Sequence, residues 1–149
     1  RLEPAPLIWS VLLLLAAAQG WWASFGLREH VDWNFISFAM VLLQMILLYM
    51  STAVILPDAR DGRVDLASHF DPHRVVFFGF LIAVLVVSIA KDLVINGEWP
   101  TLPNLLFHAS LGVIAIVGIV FPSRSIQTAL AVIGASGFVI YIGMLFARL

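Results

Sequence analysis

Three ionisable residues, Lys91, Asp92 and His108, lie in or next to stretches that are otherwise apolar. An ionisable group at the centre of a membrane helix costs about 2.5–3.5 kcal/mol on insertion scales, and less near a helix end, where lysine can reach the interface. Adjacent Lys91 and Asp92 point about 100° apart on a helix, so one of them is expected to face protein. Because histidine titrates near neutrality, Asp92 and His108 could relay a proton. The alternative is a structural polar cluster that pins two helix ends.

A second apolar stretch carries the polar residues Gln44 and Ser51. They recur with Ser37 at intervals of seven residues, which places all three on one face of a helix. Gln44 lies near the middle of the stretch, where an amide needs a hydrogen-bond partner from another helix or from water. Two interpretations follow: hydrogen bonding between helices, or a water-lined path that also includes Asp92 and His108.

A third cluster, His69, Asp71 and His73, has residue types that bind metals. In an extended segment these alternate side chains would point the same way, as a zinc site requires. However, Pro72 is expected to begin a helix with Asp71 as its cap, and a helix breaks the alternation. The alternative to a metal site is a solvated turn next to the membrane.

These residues are positioned by apolar stretches of membrane-spanning length. The chain of 149 residues is 62% hydrophobic and 11% charged, with a mean hydropathy of +1.03, whereas a soluble domain is about a quarter charged. The central stretch alone would form a helix of about 31 Å, close to the thickness of a hydrocarbon core of about 30 Å. The sequence therefore predicts an all-α integral membrane protein, one domain over residues 1–149 with about five transmembrane helices and short loops. The predicted spans are residues 7–27, 35–56, 75–95, 105–121 and 126–146.

Small residues indicate where these helices pack closely, because association in lipid depends on close contact. The predicted packing positions on the last three spans are Gly79, Ala83, Gly112, Ala131, Gly134 and Gly137. The stripe on the last span also holds Gln127 and Tyr141, and its expected neighbour is the fourth span. Trp9, Trp21 and Trp22 flank the first span and are expected to lie at the level of the lipid headgroups.

Several classes of function are not expected. The net charge is −1 and no basic run occurs, so nucleic acid is not an expected partner. The chain has no cysteine, which excludes disulfides, thiolate metal sites and cysteine nucleophiles. His73 and His108 are predicted near opposite membrane faces, so they cannot share a haem. Without a catalytic set or a phosphate-binding loop, the sequence predicts neither an enzyme nor a cofactor.

The balance of lysine and arginine predicts a cytoplasmic N-terminus, because cytoplasmic loops carry the excess of positive charge. The side of the N-terminus is predicted to hold Arg1, Arg60, Arg63, Arg74 and Arg124. The opposite side is predicted to hold Arg28, Lys91 and Arg148.

The layout of Trp21 to Asp58 and of the Pro57–Asp71 loop resembles a group of small multi-pass inner-membrane proteins of proteobacteria. The shared features are an aromatic end to one span, a short turn with an arginine, a span with a glutamine and a loop that begins Pro-Asp. The resemblance implies a bacterial inner membrane and one further helix before Arg1. It implies no activity and assigns no functional residues.

Two functions are consistent with these observations. The first is a non-catalytic membrane component, either an accessory subunit of a membrane complex or a small homo-oligomer, with the bilayer and other transmembrane helices as partners. The alternative is an ion or proton channel, or a small-solute transporter, with a polar path through Gln44, Asp92 and His108. We find no inverted internal repeat of the kind that marks many transporters.

Overall fold

The computed structural model describes residues 3–29, 33–56 and 66–146 and consists of five α-helices. They are α1 (Pro4–Gly26, followed by a 3₁₀ turn at Leu27–Glu29), α2 (Phe35–Ile55), α3 (Leu66–Asn96), α4 (Leu102–Val120) and α5 (Arg124–Phe146). The described ranges contain no strand. The predicted all-α fold with five spans is confirmed.

The five helices close into a ring. Each helix packs against the next one in the chain, and α5 returns to pack against α1. The links from α3 to α4 and from α4 to α5 are short, and a short link makes sequential helices antiparallel neighbours. A ring of five helices encloses an axis, and the two ends of that axis are filled differently.

The outside of the ring is apolar. All five helices are long and apolar enough to cross a membrane. Large apolar side chains on their outer faces are open to the surroundings; Val86, Val113 and Ile140 are 60%, 60% and 62% exposed. Soluble monomers rarely carry apolar surface of this extent. The protein is therefore an integral membrane protein, and the bilayer is its solvent.

The largest difference from the predicted spans is the start of α3. This helix begins at Leu66 rather than at residue 75, and it continues through Pro72, which was predicted to be its first residue. That prediction is wrong because Leu66 and Phe70 are buried, and their packing holds the earlier turns in the helical conformation. The predicted span began after the charged residue Arg74, whereas buried residues of the helix also lie before it.

The other helix ends differ from the predicted spans by three residues or fewer. Asn34 caps α2 as predicted, since its Oδ1 accepts a hydrogen bond of 2.9 Å from the backbone N–H of Ser37. Most of the predicted loop between the second and third spans, including Arg60 and Arg63, lies outside the described residues, as do Arg1 and Arg148.

Small residues bring the helices together at some of the predicted positions. Ala131 is fully buried, and Ala83 is half-buried. Gly134 packs against α1, where an added Cβ would lie 3.1 Å from Cη2 of Trp9. Leu111 of α4, the neighbour that the sequence predicted, is more distant, at 3.9 Å from that Cβ position. The stripe on α5 therefore faces protein, but its closest contact is with α1.

Three predicted packing glycines make no such contact. A Cβ at Gly79, Gly112 or Gly137 would have no neighbouring atom within 4 Å among the described residues. The close approach on α4 occurs instead at Gly118, where an added Cβ would overlap the ring of Phe78. Glycine spacing marks a helix that can be approached closely, but it does not say from which side.

Candidate functional site

One end of the ring encloses a cavity of about 460 Å³. Every helix contributes to its wall. The inner part is apolar and includes Leu12, Leu48, Leu81, Leu85, Leu111 and Phe138. The part nearest the membrane surface is polar, and we call Lys91, Asp92, Asn104, His108 and Tyr141 the polar rim. The cavity therefore changes from polar to apolar along the axis, from the rim towards the middle of the membrane.

Hydrogen bonds join three helices at the polar rim. Asn104 of α4 donates through Nδ2 to Oδ2 of Asp92 on α3, at 3.2 Å. The hydroxyl of Tyr141 on α5 donates to Oδ1 of the same asparagine, also at 3.2 Å. The Tyr141 ring stacks on Phe107, with centroids 4.1 Å apart and planes 4° apart. Asn104 is thus the residue that links Asp92 to Tyr141.

His108 is fixed by its own helix. Its Nδ1 lies 2.8 Å from the carbonyl oxygen of Asn104. Because a carbonyl only accepts, Nδ1 carries the proton, and in the neutral ring Nε2 is left as an acceptor. His108 and Asp92 line the same cavity but share no hydrogen bond in the described part of the chain. The two residues considered for a proton relay therefore lie at one cavity without a direct hydrogen bond between them.

Four polar side chains on the cavity wall, Gln19, Gln44, Ser88 and the rim residue Lys91, have no side-chain hydrogen bond or ion pair to any residue that the structure describes. All four are only partly exposed. In a membrane, polar groups without partners cost several kcal/mol each unless water or a ligand satisfies them. The wall of this cavity is therefore built to face water or a polar ligand group.

The structure brings together four of the five predicted polar residues. Lys91, Asp92, His108 and Gln44 line one cavity. Ser51 does not, since it is fully buried and its Oγ donates to the carbonyl oxygen of Leu47 on its own helix, at 2.8 Å. The polar path through Ser51 is therefore not formed.

The sequence analysis missed Asn104 as a site residue and treated Tyr141 only as part of a packing stripe. Asn104 was placed in a connection, although it precedes His108 by four residues and so shares its helix face. That spacing was the available signal.

The other end of the ring, which we call the closed end, is filled with aromatic side chains. Trp9, Phe77 and Phe78 are all 0% exposed. The indole of Trp9 meets the two phenyl rings edge-on, with centroid distances of 5.5 and 5.6 Å. The prediction that Trp9 anchors the chain at the lipid headgroups is therefore wrong. Trp21 and Trp22 are 68% and 61% exposed, and Trp22 also lines the mouth of the cavity.

Arg74 and Gln127 at the closed end are bonded to backbone carbonyls. Arg74 donates to the carbonyl oxygens of Gly118 and Ile119, in the last turn of α4. Nε2 of Gln127 donates to Gly118 at 2.9 Å and to Phe121 at 2.7 Å. These carbonyls have no partner within the helix, and a cation there is also favoured by the helix dipole. Oε1 of Gln127 and Nε1 of Trp9 are buried without a partner among the described residues.

The proposed metal cluster is not assembled. His69, Asp71 and His73 lie on a helix, where His69 and Asp71 are about 200° apart around the axis. The rings of His69 and His73 stack on each other, with centroids 4.4 Å apart. Within residues 3–29, 33–56 and 66–146, no three His, Asp or Glu side chains are grouped as a metal site would need.

Comparison of this chain with protein-family models, with curated proteins and with solved structures finds no match. The resemblance to small inner-membrane proteins stays a prediction. The function must therefore be argued from the cavity itself.

Proposed function

We propose that the protein is a non-catalytic membrane protein that binds a small molecule in the cavity, taken up from the membrane side on which Lys91 lies. The observation that carries this proposal is a cavity of about 460 Å³ whose wall holds polar side chains without protein partners. Its volume falls within the range of about 300–1,000 Å³ that is typical of small-molecule sites.

Uptake from one side fits the molecule better than a continuous channel does. A path across the membrane would have to pass the closed end, where Trp9, Phe77 and Phe78 fill the axis. Ser51, which the channel hypothesis included, lies outside the cavity wall. Proton flux in proteoliposomes that is lost in Asp92→Asn or His108→Ala would contradict this preference and support a channel.

The binding proposal can be tested with a photoreactive probe in lipid nanodiscs. The probe is a neutral twelve-carbon alcohol with a diazirine on its chain, and cross-linked peptides are identified by mass spectrometry. Ala16→Phe fills the cavity, because Ala16 lines its wall. Ala18→Phe is the matched control, because Ala18 lies on the exposed face of the same helix.

We expect the probe to label peptides that line the cavity, with labelling lost in Ala16→Phe and kept in Ala18→Phe. Labelling restricted to lipid-facing positions, or equal labelling of the cavity peptides in both variants, would contradict binding in the cavity. Retained thermal stability of both variants shows that the comparison is made on folded protein.

A role as a subunit or homo-oligomer is a second candidate, supported by three glycines with open space beside them. A Cβ at Gly79, Gly112 or Gly137 would meet no atom within 4 Å in the described chain, so a helix of another chain could approach these positions closely. The mass of the protein and of its co-purifying chains in mild detergent tests this. An assembly that Gly137→Leu dissociates would support this role, and a monomer without partners would contradict it.

For location, we propose a bacterial inner membrane with a cytoplasmic N-terminus, which the layout and the arginine distribution of the sequence support. In this orientation the closed end faces the cytoplasm and the polar rim faces the outer side. The binding proposal does not depend on this orientation.

A further inference from the structure

We propose that the ligand of the cavity is a single-chain amphiphile with an anionic head, a carboxylate or a phosphate, held by Lys91 with its chain in the apolar part. This inference rests on the proposed function, since it names the chemical class of the molecule that the cavity binds.

The charge of the head group follows from Lys91. It is the single lysine of the chain, it lines the cavity, and it forms no hydrogen bond or ion pair with a described residue. An ammonium group has three donors and no acceptor, so only an acceptor can satisfy it. The nearby carboxylate of Asp92 is instead hydrogen-bonded through Oδ2 to Asn104.

The apolar chain follows from the order of residues along the axis. On α3, Lys91 and Ser88 precede Leu85 and Leu81 as the cavity deepens. Two other helices repeat the order, since His108 is followed by Leu111 on α4, and Tyr141 lies above Phe138 on α5. On α2, Gln44 is a polar side chain in the deeper wall, next to Leu48. A sugar or an inorganic ion would leave the inner wall without a matching partner, whereas a hydrocarbon chain fits it.

Amphiphiles that share one hydrocarbon chain and differ in the head group separate the contribution of the head group from that of the chain. The probes are diazirine derivatives of dodecanoate, dodecyl phosphate, dodecanol and dodecyltrimethylammonium, each in nanodiscs of phosphatidylcholine. For each probe, labelling of cavity peptides is divided by labelling of lipid-facing peptides in the same sample. This ratio removes differences in how the probes partition into the bilayer.

We expect this labelling ratio to be about tenfold higher for the anionic probes than for the alcohol, because the neutral head lacks the charge-assisted hydrogen bond to Lys91. Lys91→Met should abolish this difference and Lys91→Arg should restore it. Arg28→Met is the control, since Arg28 is an exposed cation at the end of α1 on the same membrane side. A preference of dodecanoate over dodecyl phosphate, or the reverse, distinguishes a fatty acid from a phosphorylated lipid.

The outcomes separate the two proposals. Labelling that Ala16→Phe removes but that is equal for all four head groups would overturn the anionic ligand and leave binding in the cavity intact. A preference for the trimethylammonium probe would also overturn it. If no probe labels the cavity, the proposed function itself fails. If Lys91→Met does not fold, the head-group series on the unmodified protein still decides whether the cavity prefers an anionic head.

Discussion

At the closed end, Trp9, Phe77 and Phe78 fill the axis of the helix ring, whereas at the other end the same axis is a cavity of about 460 Å³. The cations at the two ends also differ in their partners. Arg74 at the closed end donates to carbonyl oxygens, while Lys91 at the cavity has no such partner in the described chain.

This difference suggests a structural role for the closed end and a ligand-binding role for the cavity. No hydrophobic effect drives helices together in lipid, so the dense aromatic packing of the closed end supplies the van der Waals contact that holds the ring. A charged group inside the membrane is costly, and proteins keep one without a protein partner mainly where function requires it. Stability should therefore depend mostly on the closed end, and ligand binding mostly on the cavity.

The largest effect is expected at Trp9. Trp9→Ala should lower the free energy of unfolding by about 3–5 kcal/mol, because it leaves a void among buried rings. Trp21→Ala, on the same helix but 68% exposed, should cost far less. Unfolding in mixed micelles measures both. Equal losses would mean that the closed end does not hold the ring.

A similar contrast is expected on α5. Gly134→Leu should cost about 1–3 kcal/mol, since its side chain would be forced against the Trp9 indole. Val132→Leu, which lies on the exposed face of the same helix, should change stability little. The same unfolding assay decides. If the two variants behave alike, the stripe on α5 faces lipid and its packing against α1 is wrong.

Two glycines of α4 should respond to the same substitution with opposite signs. Gly118→Ala places a methyl group against the ring of Phe78, and we expect a net loss of about 1 kcal/mol after the gain in helix propensity. Gly112→Ala meets nothing and should stabilise the protein by about 0.5–1 kcal/mol. Thermal unfolding of the two variants side by side provides the measurement, and a stabilised Gly118→Ala would contradict the described contact.

A similarly small effect is expected at the polar rim. Tyr141→Phe removes the hydrogen bond to Asn104 and keeps the stacking on Phe107, so we expect a loss of about 0.5–1.5 kcal/mol. The control is Tyr49→Phe, because Tyr49 is 70% exposed on α2. A loss at Tyr141 as large as that at Trp9 would remove the contrast between the two ends.

Much of the fold could be predicted because lipid imposes a simple rule: a stretch without charge and about 30 Å long spans the bilayer. The same rule identified Lys91, Asp92 and His108, since ionisable groups inside apolar stretches are rare. What it could not give is the direction in which each helix faces. Trp9 was assigned to the interface because a tryptophan near a helix end is typical there, and only its contacts with Phe77 and Phe78 show that it is buried.

The start of α3 was missed for a related reason. The charge of Arg74 suggested the end of a span, but the guanidinium group is satisfied by carbonyl oxygens of α4, and the helix continues. Partners that lie far apart in sequence decide such cases, and a single sequence does not reveal them.

The central claim is that water reaches the cavity from the side of Lys91 and does not enter the closed end. Single introduced cysteines test this claim. The chain has no native cysteine, so each introduced thiol reports alone. Ser88→Cys places the thiol on the cavity wall, Ser51→Cys places it at a fully buried position outside that wall, and Val86→Cys places it on the lipid face. Thiol reagents react with the thiolate, which forms in water.

A charged, membrane-impermeant thiol reagent is added to sealed vesicles from each side in turn, and labelling is followed by the mass shift. We expect Ser88→Cys to be labelled from the side of Lys91 only, and Ser51→Cys and Val86→Cys to be labelled from neither side. Labelling of Ser88→Cys no faster than that of Val86→Cys, or labelling of Ser51→Cys from the opposite side, would contradict a cavity that is wet at one end and closed at the other.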